Sequence, residues 1–319
     1  MKIEKILNLL LLPVLLSACN PAGRQEVRSG DSVDTIVTIR TSFFHLPDIP
    51  VMLTDPEERL VYLANHYWDC IPPSGTAPLQ HQPEMEQAWA DYCDLLRHIS
   101  LPQAQKAIKS LFPTLEGEMK IYVQFKSLAE KYLDDPNSPY RNEELYIPVL
   151  ESMTESASLS NLDKLRPRER LRLALRNRVG TCATDFTFID AKGHMGTLYR
   201  TVATDYTLLF FNEPGCPSCA ASLEVLNASS VVNSLIEKHR LTILAIYAGE
   251  ETEQWQCHTK DFPSTWLNGY DKTGAMYSEQ LYDLRATPSL YLLDRSRKVL
   301  LKDATAEEVL ALLEKHSLL

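Results

Sequence analysis

Length, composition and charge narrow the functions open to this chain of 319 residues. It carries 32 Lys and Arg against 42 Asp and Glu, and the formal net charge of −10 argues against nucleic acid or anionic lipid as its main partner. Hydrophobic residues make up 45% of the chain, which is ample for a core, and the length predicts two domains.

The N-terminus has the pattern of a secretory signal peptide covering residues 1–18. Lys2 and Lys5 precede an apolar stretch, 6–16, that is too short to span a bilayer. The stretch ends in Leu-Ser-Ala-Cys, which resembles a bacterial lipobox and implies that Cys19 is acylated and becomes the first mature residue. The alternative is ordinary cleavage nearby, with Cys19 left as a free thiol.

Residues 19–36 are polar and predict a flexible tether that follows the lipid. No other segment is apolar for long enough to span a bilayer, so the predicted anchor is lipid alone. The expected location is the cell envelope, at the periplasmic face of the outer membrane.

A helical pattern from 37 to 178 predicts a small all-helical domain. Asp55 followed by Pro56 marks a helix start, and Ser100-Leu101-Pro102 marks another. The first helix has one apolar stripe, formed by Leu60, Leu63, Ala64, Tyr67 and Trp68. Further helices are predicted around Trp89 to Ile99, over 116–133, and over roughly 140–156 and 165–178. Aromatic residues at helical spacing favour a core over a ligand site, and no metal site is predicted.

A basic run closes the helical pattern. Its members are Lys164, Arg166, Arg168, Arg170, Arg172, Arg176 and Arg178. Nucleic-acid binding is not expected outside the cytoplasm. The run therefore predicts either a solvated helix face or a patch that docks on the acidic second domain.

Four cysteines lie outside any motif in the mature chain beyond Cys19. Cys70 and Cys93 fall on adjacent predicted helices, so a disulfide and two buried thiols both remain open. Cys182 and Cys257 are expected to be buried or partly buried, with a role as an extra resolving thiol left open.

From 179 to 319 the pattern changes to alternating strands and helices. Strands at 185–190 and 195–199 predict a hairpin. The later predicted elements are a strand at 206–211, one helix to about 238, a strand at 241–247, two strands after Pro288 and a helix at 305–316. This order predicts an α/β thioredoxin-like domain, with a central mixed sheet flanked by helices and an added N-terminal hairpin.

Cys216-Pro217-Ser218-Cys219 is the most informative motif of the chain. It follows the strand 206–211 and begins a predicted helix, so the two thiols lie on one helical face within reach of a disulfide. Cys216 stands at the helix N-terminus, where the macrodipole and the free N–H groups favour a thiolate. A strand, a short turn and a CxxC helix together predict a redox motif.

Residues 179–319 resemble the TlpA-like membrane-anchored thiol–disulfide oxidoreductases. The resemblance rests on the strand before the CxxC, on Ala183-Thr184-Asp185-Phe186 with Asp190-Ala191-Lys192-Gly193, and on Thr287-Pro288. The whole chain is similar to Bacteroides-type lipoproteins that pair a helical domain of unknown function with a thioredoxin-like one. In the helical half the resemblance lies in Leu63-Ala64-Asn65-His66-Tyr67-Trp68.

The resemblance implies a role for each site residue. Cys216 would attack a protein or peptide disulfide, and Cys219 would resolve the mixed disulfide. Thr287 and a cis Pro288 would bind the substrate, and Pro217 would preset the first helical turn. The relatives lean towards reductases, which need an electron donor that the sequence does not identify. No cofactor beyond the Cys216–Cys219 disulfide is expected.

The sequence departs from its relatives at several positions. Gly215 stands where many relatives have Trp, and Ser222 stands where some have a Glu that moves protons. Glu213 and Glu224 are therefore candidates for proton handling, although each is equally a surface carboxylate. Ala220 after the motif excludes covalent haem attachment.

Three other functions are open from the sequence. The first is a non-catalytic binding lipoprotein, in which the CxxC is a static disulfide on a thioredoxin-like scaffold. The second is a metal-handling protein that uses the CxxC with Cys257 or His258. The third is a purely structural lipoprotein, which the pairing of CxxC with Thr-Pro disfavours.

Overall fold

The computed structural model describes residues 44–71, 81–201, 204–249 and 253–317. These residues belong to one compact unit. The predicted signal peptide, Cys19 and the tether lie outside them and remain predictions. Below, the described residues up to 178 are termed the helical region, and those from 179 onwards the sheet region.

The helical region contains α-helices of 11 to 15 residues. They are α1 (Pro56–His66), α2 (Gln82–Leu96), α3 (Leu101–Thr114), α4 (Met119–Ala129), α5 (Glu143–Glu155) and α6 (Leu165–Leu175). A π-helical turn, Glu130–Asp134, continues α4 and brings the chain towards the sheet region.

Local capping explains where these helices begin. The Asp55 carboxylate accepts hydrogen bonds from the N–H groups of Glu57 and Glu58 at 2.9 and 3.0 Å, and Ser100 and Gln103 form a capping box on α3. Both predicted starts are confirmed. The helix predicted over 116–133 begins three residues late, because Glu118 N–H donates to the Leu115 carbonyl and closes a turn first.

An aromatic cluster fills the core of the helical region. Trp89 is fully buried, with its ring centroid 5.7 Å from that of Trp68 and 5.5 Å from that of Phe125. Tyr67 and Tyr92 are also buried against this cluster. The interpretation of the aromatic stripe as core is therefore confirmed.

The sheet region is built on a seven-stranded mixed sheet with the order β2-β1-β5-β4-β3-β6-β7. Its strands are β1 (Thr187–Asp190), β2 (Met195–Thr197), β3 (Tyr206–Asn212), β4 (Leu241–Tyr247), β5 (Leu267–Tyr270), β6 (Ser289–Asp294) and β7 (Val299–Ala304). Its helices are α7 (Leu198–Thr201), α8 (Pro217–Ala228), α9 (Ser230–Glu237), α10 (Glu253–His258), α11 (Ala275–Ser278) and α12 (Ala306–Ser317).

The central strands are buried on both faces, which explains their nearly continuous apolar sequences. β3 pairs in parallel with β4 and antiparallel with β6, so it lies in the middle of the sheet. One apolar cluster, including Leu208 and Phe210, packs under α8, α9 and α12. A second, including Leu209 and Phe211, covers the opposite face. The predicted thioredoxin-like architecture is confirmed.

Two features of the sheet region differ from the prediction. The single helix expected to reach residue 238 is two helices bent by 68°, because Ser229 ends α8 and its hydroxyl caps α9 by accepting from Val232 N–H. β5 was not predicted. It pairs in parallel with β4 and antiparallel with β1, and so joins the N-terminal hairpin to the central sheet.

The cysteines outside the motif that the structure describes are free thiols, namely Cys70, Cys93, Cys182 and Cys257. Cys93 is buried and Cys70 is partly buried, without a disulfide between them. Cys182 and Cys257 are exposed, so the expectation that they are buried or partly buried was wrong. Cys182 lies on the outer edge of the sheet, in an isolated bridge with Lys298, and Cys257 lies on α10 away from the buried Trp255.

The described helices are short. Among them, no single helix is long and apolar enough to cross a membrane, and α8 with α9 meets the requirement only as a bent pair, by length and composition.

Candidate active site

The site lies at the end of β3, where the chain turns into α8. Glu213 and Pro214 leave the strand, and Gly215 adopts a φ of 77°, which is left-handed backbone that favours glycine. At this φ a side chain such as that of Trp would be strained, so glycine suits this turn. The turn places Cys216 as the residue that caps α8.

Cys216 and Cys219 form a disulfide with a Cα–Cα separation of 5.2 Å. Pro217 occupies the first turn of α8, where its missing N–H costs nothing. The N–H of Cys219 donates to the Cys216 sulfur at 3.1 Å. Of the two sulfurs, that of Cys216 is therefore the one that donors at the helix N-terminus stabilise.

The two sulfurs differ in accessibility. Cys216 is partly exposed, whereas Cys219 is only 2% exposed and packs into the apolar cluster under α8. An incoming thiol or disulfide can therefore reach Cys216 but not Cys219. This asymmetry suits an attacking residue and a resolving residue.

The Thr287-Pro288 loop faces the disulfide, and its peptide bond is cis, as predicted. The carbonyl oxygen of Thr287 lies 3.6 Å from the Cys216 sulfur, and the Thr287 hydroxyl lies 3.7 Å from it. Residues that are 71 positions apart in sequence thus meet at one sulfur. The fold brings together Cys216, Cys219, Thr287 and Pro288.

Ser218 is a further residue of the site, and the sequence pattern alone did not predict it. Its hydroxyl donates to the Thr287 carbonyl at 3.1 Å and lies 3.3 Å from the Cys216 sulfur. Its position between the two cysteines was the available signal, because the fold brings this hydroxyl against the cis-proline loop.

The two candidate proton-handling carboxylates lie outside this arrangement. Glu213 is exposed and accepts a hydrogen bond from the Tyr277 hydroxyl at 3.4 Å. Burial, followed by the charge of Glu213, raises the pKa of Tyr277. Glu224 is exposed on α8. Among the hydrogen bonds of the described residues, neither carboxylate contacts a cysteine sulfur.

A chain of hydrogen bonds lies behind the end of β3. Asn212 is buried and donates to the carbonyl oxygens of Phe210 and Ile246, and its own side-chain oxygen lies 3.2 Å from His258 Nε2. His258 Nδ1 lies 3.2 Å from the Asp261 carboxylate. His258 thus supports the strand that delivers the CxxC turn. Within the described residues there is no group of three or more His, Cys, Asp or Glu that could hold a metal ion.

The chain is similar to several proteins of known structure. A thioredoxin-like protein from Bacteroides caccae is 45% identical, with a TM-score of 0.84, over 88% of this chain and all of that chain. The C-terminal domain of an uncharacterized protein from Bacteroides fragilis is 48% identical over 43% of this chain and 98% of that one, with a TM-score of 0.42. The thioredoxin domain of a thiol-disulfide oxidoreductase from Bacteroides vulgatus is 22% identical over 44% and 97%, with a TM-score of 0.38.

The fold, the CxxC disulfide and the facing cis-proline define the class of the protein, which is thioredoxin-like. Residues 18–177 match a family model described as a domain of unknown function, DUF5106. The chain belongs to this family. Separately, it shares its fold with the Bacteroides caccae protein over 88% of its length. No functionally curated protein matches it.

Proposed function

We propose that the protein is an extracytoplasmic thiol–disulfide oxidoreductase that reduces protein or peptide disulfides through Cys216 and Cys219. One observation carries the proposal. A partly exposed sulfur caps a helix and faces the residue before a cis-proline at 3.6 Å, while its partner sulfur is buried. A static structural disulfide has no need of this exposed position or of the facing loop.

In the reduced protein, Cys216 would be the nucleophile. Its thiolate would receive the hydrogen bond of Cys219 N–H and the favourable field of the N-terminus of α8. The Ser218 hydroxyl lies within reach of both this sulfur and the Thr287 carbonyl, so it is a further donor to the thiolate.

The proposed reaction has two exchange steps. The Cys216 thiolate attacks one sulfur of the substrate disulfide, a bond forms between them, and the other substrate sulfur leaves as a thiolate that takes up a proton. Cys219, deprotonated, then attacks Cys216 and releases the first substrate sulfur as a thiolate. Two electrons pass to the substrate, the Cys216–Cys219 disulfide forms, and a dithiol donor must reduce it again.

The Thr287-Pro288 loop would hold the substrate during these steps. Because Thr287 lies beside the attacking sulfur, a peptide that pairs with its backbone as a short extended segment would bring its disulfide to Cys216. Glu213 and Glu224 remain candidates for proton handling within this proposal.

Reduction of disulfide-bonded insulin by dithiothreitol tests the function. We expect the wild type to accelerate it, Cys216→Ser to lose the acceleration, and Cys219→Ser to accumulate a mixed disulfide. Cys182→Ser, which changes an exposed free thiol, is the matched control and should behave as the wild type. A wild type that gives no acceleration, with a reduced Cys216 no more reactive than free cysteine at neutral pH, would support the binding-lipoprotein alternative instead.

The extracytoplasmic location and the lipid on Cys19 are part of the proposal. They are supported by Lys2 and Lys5, the apolar stretch 6–16 and the Leu-Ser-Ala-Cys sequence. Mass spectrometry of the mature N-terminal peptide should find an acylated Cys19. Cys19→Ser should move the protein from the membrane to the soluble envelope fraction, and an unmodified N-terminus on the wild type would contradict the anchor.

A further inference from the structure

A cluster of four charged side chains joins the helical region to the loop that precedes the cis-proline. Asp134 and Arg170 come from the helical region, and Asp283 and Arg285 come from the loop. We name it the four-charge cluster. Asp134 is 7% exposed and Asp283 is 4% exposed, so both carboxylates need partners.

The guanidinium groups supply these partners. Arg285 donates to both oxygens of Asp134, with each distance 3.0 Å, and also bonds the Asp283 carboxylate at 3.0 to 3.2 Å. Arg170 donates to Asp134 at 2.5 Å and to Asp283 at 3.4 Å. Two negative and two positive charges thus alternate, and paired Arg–carboxylate forks fix orientation as well as distance.

The four-charge cluster lies at one end of a very short loop whose other end meets the disulfide. Arg285 stands two residues before Thr287, whose carbonyl receives the Ser218 hydroxyl. The Ser289 hydroxyl donates to the Ala286 carbonyl at 2.9 Å and so ties the loop to the start of β6. Because only Ala286 lies between them, a shift of Arg285 moves the Thr287 backbone.

We propose that the helical region positions the substrate-binding loop, with Asp134 acting through Arg285 to hold the Thr287 backbone where a peptide disulfide must bind. The inference rests on the proposed function and adds a role for the DUF5106 helices. Asp134 is a positioning residue, because it contacts Arg285 and not the cysteines or the substrate-binding residues in the described structure.

The chemistry of the pair predicts which kinetic constant changes. In the described structure, Asp134 is connected to the sulfurs through Arg285 and the loop backbone, and not by direct contact. Loss of the Asp134 carboxylate should therefore leave the reactivity of Cys216 unchanged. The loss of this carboxylate should instead shift the position of Thr287. A displacement of about 1 Å in a binding group can lower the catalytic efficiency as much as a hundredfold. We therefore expect a change in KM rather than in the potential of the disulfide.

Asp134→Asn tests the inference in the full mature chain, since it keeps the shape and removes the charge. With a disulfide-bonded peptide as the probe and excess reductant, KM should rise about tenfold while kcat changes less than about twofold. The reduction potential of Cys216–Cys219 and the pKa of the Cys216 thiol should equal those of the wild type. An unchanged KM would overturn the inference.

Glu143→Gln is the matched control. Glu143, at the start of α5, bonds the Lys302 ammonium of β7 at 2.5 Å, so it also joins the two regions, yet its partner is not in the cis-proline loop. It should leave KM unchanged even if it lowers the melting temperature as much as Asp134→Asn does. An equal rise of KM in both variants would mean general loosening and would contradict a specific role for Asp134.

A second variant keeps the inference testable if Asp134→Asn does not fold. Arg285→Lys keeps the positive charge but loses the two-pronged contact with Asp134, and we expect the same rise of KM. The outcomes also separate the two proposals. An inactive wild type would refute the proposed function, whereas an active wild type with an unchanged KM in Asp134→Asn and Arg285→Lys would refute the positioning role alone.

Discussion

The helical region and the sheet region use their side chains differently. The helical region buries large aromatic rings such as Trp89 in one apolar cluster. The sheet region divides its apolar residues between two clusters and collects its reactive groups at the end of β3. The charged residues that connect the regions, such as Asp134 and Arg285, lie between them. The comparison shows that the CxxC disulfide and the cis-proline lie in one region, whereas the other contributes a large apolar core and charged partners for the connecting loop.

The largest expected effect is a loss of disulfide reduction without a change in the apolar cores of either region. Cys216→Ser should lower the rate of disulfide reduction by at least about a thousandfold, because it removes the group that forms the covalent intermediate. Because Cys216 is partly exposed, the free energy of unfolding of the reduced protein should change by less than about 0.5 kcal/mol. Insulin turbidity and urea unfolding measure the two quantities, and a variant that retains activity would exclude Cys216 as nucleophile.

The second prediction breaks the core of the helical region. Trp89→Ala should lower the free energy of unfolding by about 3–5 kcal/mol, because the ring is fully buried against Trp68 and Phe125. Val123→Ala on α4, where the side chain is half exposed, should cost less than about 0.5 kcal/mol. Urea unfolding compares them, and similar losses in the two variants would show that the ring cluster is not the stabilising core.

The third prediction concerns the ion pairs between the two regions and the pH dependence of the stability that Asp283 contributes. Burial raises the pKa of Asp283, but hydrogen bonds from Arg285 and the charges of Arg285 and Arg170 lower it on balance. A carboxyl with a lowered folded pKa stabilises the fold above its unfolded pKa, and this stability is lost as the pH falls through the folded pKa. The stabilising effect of Asp283 is therefore complete at neutral pH.

Asp283→Asn should accordingly cost about 3 kcal/mol at pH 7, because it leaves two guanidinium groups to share the single carboxylate of Asp134. The difference from the wild type should shrink as the pH falls below about 4, where the Asp283 carboxyl of the unfolded chain begins to take up a proton, and it should be lost once the pH falls through the lowered pKa of the folded state. Thermal unfolding from pH 7 down to 2.5 measures this. A difference that stays constant over that range would contradict the assigned ion pairs.

The smallest effect concerns the hydroxyl beside the reactive sulfur. Ser218→Ala should slow the first exchange step about threefold to tenfold, because it removes a hydroxyl whose single proton can be donated to the thiolate in place of the Thr287 carbonyl. The pKa of the Cys216 thiol, measured by its rate of alkylation against pH, should rise. Ser222→Ala, one turn further along α8, serves as the control, and an equal slowing in both would contradict a role specific to Ser218.

Much of the fold and of the site follows from local sequence. Asp55-Pro56 and Ser100-Leu101-Pro102 fixed helix starts because caps act within four residues. Cys216 and Cys219 are three residues apart, and the strand before them is strongly apolar. The local sequence therefore predicted both the turn and the redox motif. The facing Thr287-Pro288 needed the family resemblance, because a Thr-Pro before a strand is common in ordinary turns.

The rest depends on contacts between distant residues. β5 has four residues with Asn268 and Gly269 in its middle, so neither alternation nor strand propensity marks it, and its pairing with β4 and β1 creates it. Arg285 meets Asp134 across 151 positions, and no short-range pattern predicts that meeting. The basic run gave a partial signal, since Arg170 docks on Asp283 as one of its two interpretations expected.

The buried cysteine of α2 has a practical consequence. Burial, followed by the charge of Asp94, raises the pKa of the Cys93 thiol to about 12, so at neutral pH this sulfur stays protonated and away from solvent. Alkylating reagents should label the exposed Cys182 and Cys257 first, whereas Cys93 should react only when α2 opens. The rate at which Cys93 is alkylated, measured by mass spectrometry, therefore reports the local unfolding of α2 without any added dye.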